Sequence, residues 1–190
     1  MTLYERVQRA HGRSQWLIEL APRVVEMPTP IQKHDDPFLP YCRAVFGVTS
    51  DLVAGYVFDL AAFLALGAAG AVALERAVAV VAATPDTLAV IHGPFTRPEY
   101  TEFLGVNALR ADAATVTDDA MVAAFAARGV TALKLLAVGD TGVDGLSLTE
   151  GVARWGGLTF RLARQRFLDQ FQRDDFAAAL RSAAEQEFKA

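Results

Sequence analysis

The chain has 190 residues, a length that suits one continuous core, and residues 1–190 are predicted to form a single domain. Apolar residues make up 53% of the chain and charged residues 21%, which excludes a disordered polypeptide. The net charge of −4 provides no basic surface for a phosphate backbone, so no nucleic-acid partner is expected. The single cysteine, Cys42, can form no internal disulfide and is expected to be a small buried hydrophobe.

The amino terminus and the longest uncharged stretch bear on location. Residues 1–12 carry charges of both signs and lack an apolar core, so a secretory signal is not expected. The segment from Leu60 to Leu74 is uncharged, but Asp59 and Glu75 bracket it below the ~18 residues that a membrane span requires. The segment is therefore predicted to be a buried helix. Together the two observations predict a cytoplasmic protein, and no membrane partner is expected.

Short apolar runs alternate along the chain with longer, alanine-rich helical patterns. This alternation is typical of βα units that build a mostly parallel sheet. Gly67 and Gly70 are expected to mark weak points or close packing within one long helix, while Asp118 caps a later helix and Gly129 ends it. The predicted elements, in chain order, are strand Trp16–Leu20, helix Phe38–Thr49, strand Leu52–Phe58, helix Leu60–Ala83, strand Thr87–Ile91, helix Pro98–Leu104, strand Ala113–Val116, helix Asp118–Arg128, strand Val130–Val138, helix Thr149–Trp155, strand Leu158–Leu162 and helix Asp174–Phe188.

Several of these stretches occur in the same order and at the same spacing as elements of a known protein family. The segment Asp35-Asp-Pro-Phe-Leu-Pro-Tyr, then Asp51-Leu-Val-Ala-Gly-Tyr and Leu60-Ala-Ala-Phe-Leu-Ala-Leu-Gly, resembles the second βα unit of bacterial orotidine 5′-phosphate decarboxylases. Trp16 to Pro22 is similar to the first strand of that family, Ala111 to Val116 to its fourth, and Asp174 to Ala177 to its final helix. The resemblance implies a TIM-barrel-like (β/α) fold with its site at the carboxyl ends of the strands.

The strand ends depart from the family pattern where the charges should be. An aspartate before proline is replaced by Ala21, and a lysine after tyrosine by Val57. The Asp-x-Lys-x-x-Asp pattern of the third strand is replaced by residues 92–97, in which Pro94 takes the place of the lysine. Decarboxylation of a pyrimidine leaves a carbanion that a positioned ammonium must stabilise and protonate. These replacements predict a relative that is not an active decarboxylase and whose role is binding or assembly. No cofactor is expected.

The chain is also short for a barrel that typically needs ~250 residues. The strand count predicts about six βα units, which would leave strand edges to be covered by a helix, a partner chain or tighter closure. A homodimer is expected, since the family dimerises. One alignment register places the loop from Gly139 to Gly145 on the family's phosphate loop, whereas another places the strand Val130–Val138 on the fifth strand.

Two sets of residues are candidates for a ligand site. Gly139, Gly142 and Arg164 are candidates to hold the phosphate of a phosphorylated small molecule. The alternative is that the loop is a flexible turn and that the arginine belongs to a solvated helix start. His92, Arg97 and Asp118 are predicted to line a pocket at the strand ends, where an enzyme of different chemistry could use them. The sequence contains no spacing typical of a metal site, so no metal is expected.

Overall fold

The computed structural model describes residues 2–104, 109–140, 142–163 and 175–188. Eight strands in this part of the chain form a closed barrel in sequence order. The strands are β1 (Trp16–Leu20), β2 (Gly55–Asp59), β3 (Leu88–Phe95), β4 (Ala113–Val116), β5 (Ala132–Leu135), β6 (Gly145–Ser147), β7 (Val152–Trp155) and β8 (Leu158–Ala163).

The helices pack mainly around the first half of the barrel. They are α1 (Leu3–Arg13), α2 (Thr29–Gln32), α3 (Phe38–Thr49), α4 (Leu60–Leu64), α5 (Gly67–Ala82), α6 (Thr101–Leu104), α7 (Asp119–Ala126) and α8 (Phe176–Phe188), with 3₁₀ turns at Val24–Glu26 and Pro98–Tyr100. None of these described helices is long and apolar enough to cross a membrane. The predicted helix start at Asp174 lies outside the described residues.

The long helix predicted from Leu60 to Ala83 is divided into α4 and α5. The break falls at Gly67, whose φ of +62° suits a glycine. Gly70 then lies so close to α4 that a Cβ atom there would be 1.8 Å from the Phe63 carbonyl oxygen. Both glycines thus act as the sequence predicted, one as a break and the other as a point of close packing.

The barrel closes by a different route from the repeated βα units of its first half. Strands β1 to β6 are parallel, but β7 is antiparallel to both β6 and β8, and β8 is parallel to β1. Two hairpins therefore supply β7 and β8 without crossover helices. The predicted shortened (β/α) barrel is confirmed, and closure is complete because these strands need little chain.

The predicted helix Thr149–Trp155 is wrong, because Val152–Trp155 forms strand β7. Its residues alternate between half-buried and buried positions, the period of a strand. The following pair, Gly156-Gly157, has φ values of +60° and +77°, which are those of a two-residue hairpin turn. This pair is therefore the β7–β8 turn.

Apolar side chains form two layers. One layer fills the barrel interior, and the other lies between the strands and the surrounding helices. Cys42 is completely buried in the outer layer, as expected, and burial raises the pKa of its thiol. The interior layer includes Leu17, Val57, Leu88, Val90, Ala113, Leu133, Leu146, Ala153, Phe160 and Leu162.

Helix α1, which the sequence reading missed, closes the amino-terminal end of the barrel. Val7 and Ala10 on its inner face join the interior layer. A capping box starts the helix, because Thr2 and Glu5 each accept a hydrogen bond from the other's backbone N–H. With this end sealed by α1, the opposite end is where a site can form.

Candidate binding site at the barrel mouth

The carboxyl ends of β1 to β4 bring four polar side chains to one end of the barrel interior. Side chains alternate along a strand, so residues two positions beyond the interior apolar residues point inward as well. Applied to Leu17, Val57, Val90 and Ala113, this alternation gives Glu19, Asp59, His92 and Thr115, which we call the mouth residues.

Thr115 and His92 are joined by a defined hydrogen bond. The Thr115 hydroxyl is completely buried and lies 3.2 Å from the imidazole Nδ1 of His92. The hydroxyl also accepts from the Gly93 N–H at 3.1 Å and donates to the Gly93 carbonyl oxygen at 3.2 Å. A hydroxyl has one proton, and if that proton goes to the carbonyl, Nδ1 of His92 must be the protonated ring nitrogen. Thr115 thereby holds the imidazole in one orientation.

The two carboxylates at the mouth lie in different surroundings. Asp59 is paired in register with His92 on the neighbouring strand, and its Oδ1 accepts from the Ala62 N–H at 2.9 Å as the cap of α4. Glu19 is only 9% exposed, and carboxylates are seldom buried unless they are paired. The mouth is therefore an acidic, hydrogen-bonding site above an apolar floor.

The three residues that the resemblance aligns with charged positions of the family lie in strands β1 to β3 or directly after them. Val57 is fully buried in the barrel interior, and Ala21 follows the end of β1. Pro94 lies within β3. Of the described lysines, Lys134 pairs with Asp119 at 3.2 Å and Lys33 is exposed after α2.

His92 is the one predicted pocket residue that the structure places among the mouth residues. Arg97 is exposed before the Pro98–Tyr100 turn and lines a recess on the segment that follows β3. Asp118 is exposed and caps α7, accepting from the Met121 N–H at 2.9 Å. Hydrogen bonds from that N–H and from the Thr117 hydroxyl hold the pKa of Asp118 below its ordinary value.

The predicted phosphate loop is the crossover between β5 and β6. Gly139 and Gly142 have φ values of +88° and +81°, and the Gly139 N–H donates to Glu150 Oε1 at 3.0 Å. Arg154 donates to the Asp140 carbonyl oxygen at 2.8 Å. A carboxylate of the chain thus already uses the Gly139 N–H. Arg164 lies outside the described residues.

Sequence reasoning missed Glu19, Asp59 and Thr115. Glu19 was hidden within the strand Trp16–Leu20, although a carboxylate inside an otherwise apolar strand is itself a signal of an inward-facing polar position. In the sequence Asp59 was noted only as the charged residue that bounds an uncharged stretch, whereas in the structure it caps α4. Only the closed barrel brings the three together with His92.

Comparisons with known proteins identify the fold. No protein-family model matches the chain, and no curated protein matches it by sequence. Among solved structures, the orotidine monophosphate decarboxylase of Leishmania donovani superposes with a TM-score of 0.60 at 18% identity, over 82% of this chain and 60% of that one. The UMP synthase of the same organism gives 0.61 at 18% identity, over 75% and 32% of the two chains. The Plasmodium berghei orotidine 5′-monophosphate decarboxylase gives 0.56 at 12% identity, over 78% and 66%.

The chain thus spans between 32% and 66% of the length of these three structures. Identities this low carry the likeness of fold and no more. The chain therefore has the barrel fold of the orotidine 5′-phosphate decarboxylases in a shortened form.

Proposed function

We propose that this protein does not decarboxylate orotidine 5′-phosphate and instead binds a small molecule at the barrel mouth. The observation that carries the proposal is Val57, a fully buried valine on the inner face of β2, where the resemblance calls for a lysine. A valine can neither protonate a carbanion nor offset its charge. The resemblance also aligns Pro94 with the family's second lysine, so neither position can donate the proton that the family's chemical step requires.

The mouth residues favour a ligand with hydrogen-bond donors. Glu19 and Asp59 are acceptors when ionised, and His92 and Thr115 can each donate or accept. The same carboxylates would repel a phosphate, so a phosphorylated ligand would need a cation or backbone N–H groups to hold that group. Binding of such a ligand is the part of the proposal that depends on Gly139, Gly142 and Arg164.

Incubation with orotidine 5′-phosphate tests the loss of catalysis. We expect no uridine 5′-phosphate by chromatography, even at high protein concentration and long times. Turnover that is retained in the purified protein and abolished by Asp59→Asn would refute the proposal.

Thermal shift tests the binding role. Because a ligand that binds only the folded state raises Tm, uridine 5′-phosphate and ribose 5-phosphate should raise Tm if the mouth holds a phosphorylated molecule. Arg164→Ala should remove the shift for these compounds and leave Tm in their absence unchanged. A set of polyols without phosphate tests the mouth residues alone.

A second candidate is an enzyme of different chemistry on the same barrel. The observation that favours it is the fixed imidazole of His92 beside Asp59 in register, since a positioned histidine can act as an acid or base near neutral pH. Arg97 and Asp118 would be its other candidate groups. A substrate whose turnover falls with His92→Asn but not with Arg97→Gln or Asp118→Asn would assign catalysis to the mouth.

The proposal also includes a homodimer in the cytoplasm. Light scattering of the eluting protein tests the dimer, and cell fractionation tests the location. A strictly monomeric species at high concentration would remove the assembly role.

A further inference from the structure

An apolar groove of about 630 Å³ lies outside the barrel, between α5 and the segment that follows β3. Four large side chains along it are 40–48% exposed: Leu64, Val72, Tyr100 and Phe103. A volume in this range suits a small organic molecule, and apolar, aromatic walls are typical of ligand pockets. None of the mouth residues lines this groove. A ligand bound here would therefore be distinct from a ligand at the barrel mouth.

Aromatic rings form one wall of this groove. Phe95 is 4% exposed and packs against Tyr100 with ring centres 5.1 Å apart. Phe103 follows Tyr100 by three residues and lines the same groove. Rings in such a cluster attract a cation within about 6 Å of their centres through the negative face of each ring.

Carboxylates line this groove and the recess next to it. Glu75 lines the groove, and a neighbouring recess of about 610 Å³ that shares Tyr100 and Phe103 is lined by Glu99, Glu102 and Arg97. In the described part of the chain, none of the three glutamates takes part in an ion pair or side-chain hydrogen bond. Three carboxylates against one guanidinium give this surface a negative charge.

The negative charge around the groove favours some kinds of ligand over others. An interface between two copies of this chain at the groove would bring together three carboxylates and one guanidinium from each copy, which leaves an excess of negative charge in a low-dielectric contact. An anionic ligand would also be repelled by these carboxylates. A neutral apolar ligand would leave the carboxylates without a partner, whereas a cation complements both the rings and the carboxylates.

We propose that this groove binds an organic cation, an ammonium group on an apolar body, with the body along Leu64 and Val72. The ammonium group lies against Tyr100 and Phe103 and faces Glu75. A trialkylammonium fits best, because it is weakly hydrated and makes broad contact with ring faces.

Three probes with one phenylpropyl body test the proposal by calorimetry: 3-phenylpropyl-trimethylammonium, 3-phenylpropanol and 4-phenylbutyrate. We expect the cation to bind about fivefold tighter than the alcohol, and the carboxylate to bind more weakly than either. Equal affinity for the cation and the alcohol, or no saturable binding of the cation, would overturn the proposal.

Two variants locate the bound cation. Glu75→Gln should weaken binding of the cation about threefold and leave the alcohol unchanged, since an exposed charge contributes modestly. Phe103→Ala should weaken both. The matched control Glu187→Gln removes an exposed carboxylate on α8, outside the groove, and should change neither. Cation binding that survives both groove variants would place the ligand elsewhere, and a dimer that Phe103→Ala dissociates would assign the groove to a second copy; either result overturns the proposal.

Discussion

The ion pair between Arg6 and Asp112 offers a sharp test of how the sealed end of the barrel is stabilised. The Arg6 Nη1 lies 3.1 Å from Asp112 Oδ1, and the two side chains are 19% and 8% exposed. Asp112 also accepts from the Ala89 N–H at 2.8 Å, and Arg6 donates to the Thr87 carbonyl oxygen. Together these contacts tie α1 to the start of β3 and to the residues before β4.

Asp112→Asn removes the negative charge while keeping the shape and an oxygen for the Ala89 N–H. Removing one member of a buried ion pair typically costs 3–5 kcal/mol, because the other charge is left without its counter-ion. Arg6 is partly exposed and keeps its bond to Thr87, so the free energy of unfolding should fall by about 3 kcal/mol. For a chain of this size that corresponds to a decrease in Tm of about 6–12 °C.

The doubly neutral variant Arg6→Met with Asp112→Asn should recover much of this loss. Burial raises the pKa of Asp112, while the Ala89 N–H and the Arg6 guanidinium oppose that rise. The desolvation that dominates this pKa is also a cost of burying the pair, and the double variant no longer bears it.

Urea unfolding of the four members of this cycle gives the coupling energy. The exposed pair between Lys134 and Asp119, whose carboxylate is 79% exposed, is the control, and Asp119→Asn should lower stability by less than about 1 kcal/mol. If Asp112→Asn lowers the free energy of unfolding no more than Asp119→Asn does, the buried pair is no more stabilising than an exposed one. If the double variant is as unstable as Asp112→Asn, an unpaired Arg6 is not the cause of the loss.

Single substitutions test three local features: the hydrogen bonds of Thr115, the helix break at Gly67 and the ion pair of Arg181 with Asp51. Thr115→Val should cost about 1–2 kcal/mol, since the buried Gly93 amide loses its partner, and should free the imidazole of His92; nitrogen chemical shifts that show an unchanged tautomer would contradict this. Gly67→Ala should cost about 1 kcal/mol because of its positive φ, and a stabilised variant would mean that the helix break is not required. The Arg181 guanidinium, 2.6 and 2.9 Å from the carboxylate of Asp51, holds the pKa of Asp51 below its ordinary value of 3.8, so this contribution is present above that value and is lost as pH falls through the lowered pKa. Arg181→Met should flatten the acid dependence of stability between pH 5 and about 2, and an unchanged dependence would show that the pair contributes nothing.

Local sequence was sufficient for many elements of the first half of the barrel, strands β1 to β4. Trp16–Leu20, Phe38–Thr49 and Ala113–Val116 lie at their predicted bounds, because each is an apolar run or a helical pattern with clear turn residues around it. The second half was harder, since β6 and β7 are three and four residues long. Strands that short show almost no periodicity.

The site was partly visible from the sequence for a related reason. His92 stood out because it ends an apolar strand, and the structure places it at the mouth. Arg97 and Asp118 stood out by charge, but Asp118 is accounted for by its own helix start. Glu19, Asp59 and Thr115 come from three different strands, and no local pattern relates their positions.

What the sequence determined by itself is the alternation of strands and helices, the position of the helix break at Gly67 and the apolar residue at position 57. What only the tertiary structure decided is how the barrel closes and which side chains meet at its mouth. Closure depends on non-local pairing of short strands through hairpins, and the mouth depends on the shared inward direction of residues far apart in the chain. Neither property exists until the last strand pairs with the first.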